Sequence, residues 1–217
     1  MNEPPRPEPE HGATGDDEMP DPWHMRHRDP DIGGPDFGAL VEAMRDLQDR
    51  FVAANPPLDQ TRRITTALTS LAAELSEWEA PEFGAPAAMR NDLPGRGSAL
   101  LVPAVLDCQT ETSVQGRVTF RRFHLGGHGA AHGGTIPLLF DDVMGRLVNG
   151  ANRTVSRTAY LHVNYRMITR LGVELRFEAT VDRIEGRKRW ASGCLWEGDA
   201  LVADVEGLFV ELRPGQP

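Results

Sequence analysis

Phe123 to Ala151 reads FHLGGHGAAHGGTIPLLFDDVMGRLVNGA, and the point where this stretch changes character decides the fold. Its first part is a glycine- and histidine-rich loop, too flexible to count as an element. From Gly133 onward it carries about sixteen residues of helical pattern. Ile136, Leu139, Phe140, Val143, Met144 and Leu147 fall on one apolar stripe, the face that rests on a sheet. Gly134, Leu138, Asp141 and Gly145 occupy the opposite side, where small residues admit a second close surface. Asp141 lies on that side and Asp142 turns toward the flank. A carboxylate on a second covered face is costly for structure alone, so Asp141 is a candidate functional group.

The start of this helix has chemical meaning as well. Its first amides have no intrahelical acceptor and carry the positive end of the macrodipole. They can hold an oxyanion or polarise a carbonyl, and Gly133 and Gly134 present no side chain to keep a ligand away.

Around the helix the period changes from 3.6 to 2. Ala99–Thr110 and Val114–Phe123 precede it as two strands. Thr158–Met167 follows, with Ala159, Leu161, Val163 and Tyr165 alternating against Thr158, Tyr160, His162, Asn164 and Arg166. Val173, Leu175, Phe177, Ala179 and Val181 face one way from the next strand. Turns at Glu185-Gly186 and Gly198-Asp199 then separate consecutive strands. In the last strand the apolar phase slips from Leu201, Ala203, Val205 to Leu208, Val210, Leu212, which a bulge near Gly207 explains. Strand, strand, long helix and four more strands describe an α+β domain, an antiparallel sheet curled around one helix.

His132-Gly133-Gly134, Asp141 nine positions after that histidine, Thr158-Ala159-Tyr160-Leu161-His162-Val163-Asn164-Tyr165 and Glu185-Gly186-Arg187-Lys188 together resemble the hotdog-fold acyl-CoA thioesterases. The likeness is to the phenylacetate-pathway type and its mitochondrial long-chain relatives, over roughly Leu100 to Leu212. It implies hydrolysis of an acyl-CoA to acid and free CoA without a cofactor. It also implies a fold with the sheet wrapped around the central helix. Asp141 takes the place of the catalytic carboxylate, acting as general base or as nucleophile. Gly133 matches the amide donor to the thioester oxygen, and Thr158 the hydroxyl that steers water. His132 and Gly134 shape the substrate loop, and Asn164 is counted among the substrate-contacting positions. Some relatives carry Asn or Gln before HGG; Gly126 and Gly127 stand here, with His124 or His128 as stand-ins. Arg166-Met167-Ile168 replaces the frequent basic-Pro strand ending. Arg166, Arg170, Arg187, Lys188 and Arg189 are the cations available for CoA phosphates.

If Gly133 donates to a thioester oxygen and Asp141 acts on the same carbonyl carbon, as the resemblance implies, helix geometry adds a deduction. The two are eight residues apart, about 12 Å along a helix, so one chain cannot bring both to one atom. Two antiparallel copies can. The expectation is a homodimer, or a dimer of dimers, with shared sites.

The remaining sequence frames this domain, taken as residues 99–213. Residues 1–35 hold eight of the seventeen prolines, and residues 1–36 ten acids against three arginines, so most of the −9 net charge belongs to an acidic tail expected to be disordered. Residues 36–80 read as a helical hairpin. Asp36 and Asp59 are its expected caps, and Leu40, Val41, Met44, Leu47, Phe51 and then Ile64, Leu68, Leu71, Leu75, Trp78 its stripes. Residues 81–98 form a Pro/Gly-rich connector that could help line a substrate channel. No basic face with interleaved aromatics points to nucleic acid, no apolar run is long enough for a membrane span, and Met1-Asn2-Glu3-Pro4-Pro5 begins no signal peptide. A cytoplasmic protein is expected, with Cys108 and Cys194 as small buried residues on strands. His124, His128 and His132 recur every four residues, but the glycines between them oppose the helix that metal ligation at that spacing needs. Two other readings stay open. One is a hotdog-type enoyl thioester hydratase or dehydratase using His128 or His132; the other is a non-catalytic acyl-CoA sensor or scaffold.

Overall fold

Asn55-Pro56-Pro57 splits the N-terminal helical pattern in two: α1 (Phe37–Ala53) stops before it and α2 (Leu58–Ser76) starts on it. The computed structural model describes residues 31–81, 84–150, 154–213 and 215–216, so most of the expected acidic tail lies outside the described residues. Neither expected cap acts as one. Asp36 occupies the N-cap of α1 with helical backbone angles and no side-chain bond to the turn, and Pro57 rather than Asp59 is the N-cap of α2. Pro57 has the extended backbone a cap requires, and Asp59 sits in the first turn near the positive helix end.

The packed face of α1 also differs from its apolar stripe. Only Val41 and Arg45 are buried, while Leu40, Leu47 and Phe51 are exposed. The reason is that α1 docks through polar bonds. The fully buried Arg45 donates to Pro94 O at 2.9 Å and Ser98 O at 3.0 Å, so the connector's carbonyls solvate its charge. Asp49 accepts the Phe123 amide and Arg121 Nε, both at 2.9 Å. No residue of α2 is buried.

β1 (Val105–Gln109) starts later and ends one residue earlier than alternation suggests, and β2 (Ser113–Thr119) starts one residue earlier and ends four earlier. After a one-turn 3-10 helix at Arg122–His124 comes a hairpin of β3 (Leu125–Gly127) and β4 (Ala130–Ala131), where the sequence promised only loop. His128 (φ 50) and Gly129 (φ 77) both adopt the left-handed conformation at its tip, as the tightest hairpin turns require. Ala131 N–H donates to Thr169 O at 2.8 Å and ties the hairpin to the domain.

The central helix, α3 (Thr135–Asn149), buries Ile136, Leu139, Phe140, Val143, Met144, Leu147 and Val148. This is the expected stripe plus one residue, each side chain worth about 1.5–3 kcal/mol of burial. α3 lies against a six-stranded antiparallel sheet ordered β1-β2-β6-β7-β8-β5, with β5 (Ser156–Tyr165), β6 (Glu174–Glu185), β7 (Lys188–Glu197) and β8 (Ala200–Glu211). A long helix held in such a sheet is the hotdog arrangement. The two hairpin turns fall where expected, with Gly186 (φ 55) and Gly198 (φ 57) supplying the left-handed positions.

Two register details depart from the sequence reading. Gly207 is not bulged: Ala203, Val205, Gly207 and Phe209 all face the core in one phase, and the irregularity of β8 lies where Ala203 and Leu201 pair with Leu195 and Trp196, at Val202. A Cβ on Gly207 would stand 2.9 Å from Met144 Cε and from Leu161 Cδ2, so glycine is there to seat the helix. The second bulge is in β5. Thr158 pairs with Phe209 and Tyr160 with Leu208, leaving Ala159 without a partner. Strict alternation puts Thr158 opposite Leu161, Val163 and Tyr165; the bulge turns it to their side, toward α3. Cys108 is exposed rather than buried, and Cys194 is half-buried on the outer face of β7.

Candidate active site

The end of α3 fixes where β5 begins. Asn149 reaches across with both side-chain atoms, Oδ1 accepting the Ser156 amide at 2.7 Å and Nδ2 donating to Ser156 O at 3.3 Å. Arg189, 3% exposed, donates to Val148 O at 3.1 Å, Thr154 O at 2.6 Å, Ser156 Oγ at 2.7 Å and Glu211 at 2.9 Å. It caps the negative end of α3 and staples β7 to β5, so its guanidinium is not available for phosphate.

Two residues past Ser156, Thr158 Oγ1 donates to Asp141 Oδ1 at 2.7 Å. Both are exposed, on the side of α3 away from the apolar stripe. The bond occupies one carboxylate oxygen and leaves the other for a water or substrate, while the Thr158 oxygen keeps its acceptor lone pairs. The neighbouring carboxylate behaves differently: Asp142 is paired with Arg96 of the connector at 2.6 Å and is almost fully covered. The connector therefore meets the flank of α3 at Asp142.

At the other end of α3, Gly134 N–H donates to His132 Nδ1 at 3.0 Å, and Thr135 bonds His132 O through both its amide and its hydroxyl. His132 thus orders the loop, and its Nδ1 is engaged. Among the described residues the Gly133 amide has no acceptor, and it faces the surface. Tyr165 donates to Gly133 O at 2.7 Å and so fixes that peptide's orientation. Alternation already placed Tyr165 with Leu161 and Val163, yet its partner was not foreseen. His128 is at the tip of the β3–β4 hairpin.

His124 is buried in the 3-10 turn, where Nδ1 accepts the Arg121 amide at 2.8 Å and Nε2 has no partner. Burial pushes its pKa down to about 4, opposed by Asp49 and assisted by Arg121 and Arg45, so the ring is neutral at physiological pH. Its carbonyl accepts His132 N–H at 2.7 Å, linking the α1 contact to the glycine loop. Nothing in the sequence marked this histidine as buried, because the cover comes from α1.

Asn164 and Arg166 lie away from Asp141, on the outer face and edge of the sheet. Both bond Asp204, Asn164 Nδ2 at 2.7 Å and Arg166 Nε at 2.5 Å, and these partners hold the Asp204 carboxyl below its usual range. Arg170 is paired with Glu197. Arg187 donates to Glu211 O at 2.8 Å, and Lys188 has no ion pair among the described residues. Both sit at the β6–β7 turn, on the end of the sheet where β5 starts. Among the described residues no group of three His, Cys, Asp or Glu is placed to hold a metal ion. A cavity of about 320 Å³ lined by Glu42, Arg117, Arg121 and Glu174 lies elsewhere, and the open surface at Asp141 is not enclosed by this chain alone.

A sheet wrapped on one helix, with a hydroxyl-bonded carboxylate on the helix's bare side and a glycine amide just before its start, is a hotdog domain. Residues 128–196, from the glycine turn through α3 to the end of β7, match the family model of the thioesterase superfamily. Among solved structures, one thioesterase superfamily protein is similar at 27% identity, covering 81% of this chain and 90% of its own, with a TM-score of 0.67. That coverage exceeds what residues 99–213 supply, so the likeness extends into the N-terminal segment. A putative thioesterase from Ralstonia eutropha JMP134, described as phenylacetic acid degradation-related, aligns at 20% identity over 50% of this chain and 85% of its own (TM-score 0.47). A Streptococcus mutans UA159 protein solved with acetyl CoA aligns at 17% over 50% and 88% (TM-score 0.48). No curated protein matches the sequence. Among the described residues no helix is long and apolar enough to cross a membrane.

Proposed function

We propose that this protein hydrolyses an acyl-CoA thioester in a site shared by two subunits. The observation that carries the proposal is the 2.7 Å bond from Thr158 to Asp141 of α3, the helix that Gly133 precedes with an amide that has no acceptor among the described residues. The Gly133 N–H of one subunit polarises the thioester carbonyl. Asp141 of its mate, held by Thr158, takes a proton from water as the oxygen attacks the carbonyl carbon. The tetrahedral oxyanion collapses, the C–S bond breaks, and the proton passes from Asp141 to the departing thiolate. No cofactor enters these steps. Arg187 and Lys188 are the cations best placed for CoA phosphates, since Arg166, Arg170 and Arg189 are committed to carboxylates or to the end of α3.

Pairing across the open β5 edge would close the bare side of α3 and bring the two ends of the site together. The hydratase alternative finds less support, because His132 Nδ1 is bonded to Gly134. The test is free-thiol release from a panel of acyl-CoAs by Asp141→Asn. Turnover should fall by at least ~100-fold, the scale of general-base loss. Turnover equal to wild type rejects the assignment. Tight acyl-CoA binding by the wild type with no thiol release over hours would instead make it a sensor.

A further inference from the structure

We propose that α2 is an assembly element that pairs antiparallel with α2 of a second copy of this chain. Ile64, Leu68, Leu71 and Leu75 form one stripe along it, continued by Trp78 just past its C-cap, and each is exposed, Trp78 at 78%. Such a helix lacks support of its own. Thr61, Thr65, Thr66 and Thr69 are weak helix formers, and most helical stability in proteins comes from packing an apolar face.

Charge placement identifies the occupant. Asp59 in the first turn suits the helix's own dipole, but Arg62 and Arg63 just beyond it and Glu74 in the last turn do not. At about 100° per residue Arg63 and Glu74 fall on one flank of the stripe, near opposite ends. In an antiparallel pair about a two-fold axis each flank meets its own copy. Arg63 then faces Glu74 of the mate, twice, while the Leu68 side chains meet near the axis. A membrane face would instead carry cations along its polar side, and here acids stand among them. Residues 1–30 offer only Met1, Met19, Trp23 and Met25 as large apolar side chains, too few to match the stripe.

This inference is independent of the catalytic reading, and its test uses no activity assay. Sedimentation equilibrium of the full chain should show Leu68→Glu/Leu71→Glu losing one step of assembly. Arg63→Glu and Glu74→Arg should each weaken association several-fold by placing like charges together. An equimolar mixture of those two single variants should recover it, since every flank contact is again opposite in sign. A mixture that associates no better than its components overturns the proposal, as does a Leu68→Glu/Leu71→Glu chain that assembles like wild type. Unchanged mass with stripe-dependent co-sedimentation on phosphatidylserine vesicles also overturns it and makes the stripe a lipid face.

Discussion

Thr158 and Asp141 share one hydrogen bond, so substitutions there separate orientation from proton transfer. Thr158→Val should lower kcat on the order of 10-fold with KM little changed, the cost of one positioned bond, and Thr158→Ser should restore most of it. His124 gives a prediction for stability. Its folded pKa, about 4, lies below its unfolded value, so the folded state binds fewer protons. Its contribution is complete above pH ~6.5 and is lost as pH falls toward 4, by roughly 2–3 kcal/mol. Melting should therefore drop between pH 6.5 and 4.5. His124→Asn, which keeps an acceptor for the Arg121 amide, should flatten that slope; an equally steep slope in the variant would show that another group is responsible. Helical period set Asp141 on the bare side of α3 and Gly133 just ahead of its first turn, both local features, while the roles proposed for them came with the resemblance. His124 had no such local mark, because its burial comes from a segment more than seventy residues away.

Elements matter next, and here the glycines of the sheet decide how close α3 lies. A Cβ on Gly193 would fall 2.4 Å from Phe140 Cε1, and Phe140 immediately precedes Asp141. Gly193→Ala should cost about 1–3 kcal/mol through overpacking and also disturb the carboxylate, seen as a lower Tm together with a lower kcat. The clamp of α1 on the 3-10 turn gives a complementary case. Asp49→Ala removes the acceptor of Arg121 Nε and of the Phe123 amide, leaving Arg121 its bonds to Glu42 and Asp46, and His124 O, one residue on, holds His132 N–H beside Gly133. It should raise KM or lower kcat without touching Asp141, while Asp49→Glu partly rescues. The apolar stripe of α3 and the alternation of β6 were fully readable in the sequence, since 3.6 and 2 are local periods. The side of Thr158 was not: one unpaired Ala159 inverts the phase of a strand end, and pairing is a property of two strands. The face of α1 was misread for a related reason, because an arginine solvated by buried carbonyls leaves no apolar pattern.

At the scale of the whole molecule, a shared site predicts complementation. Gly133→Pro removes the amide donor and Asp141→Asn the base, and each alone should be inactive. Mixed and allowed to exchange subunits, half of the dimers are hybrids with one intact site of two, so about a quarter of wild-type thiol release should return. No recovery after verified exchange would place both groups in one chain. The docking of α1 has a further consequence for biosynthesis. Its contacts with Arg121 and Phe123 join residues 72 to 79 positions apart, so α1 leaves the ribosome long before these partners exist. At about 5–20 residues per second that gap lasts several seconds or more, during which nascent α1 and α2 are open to chaperones and proteases.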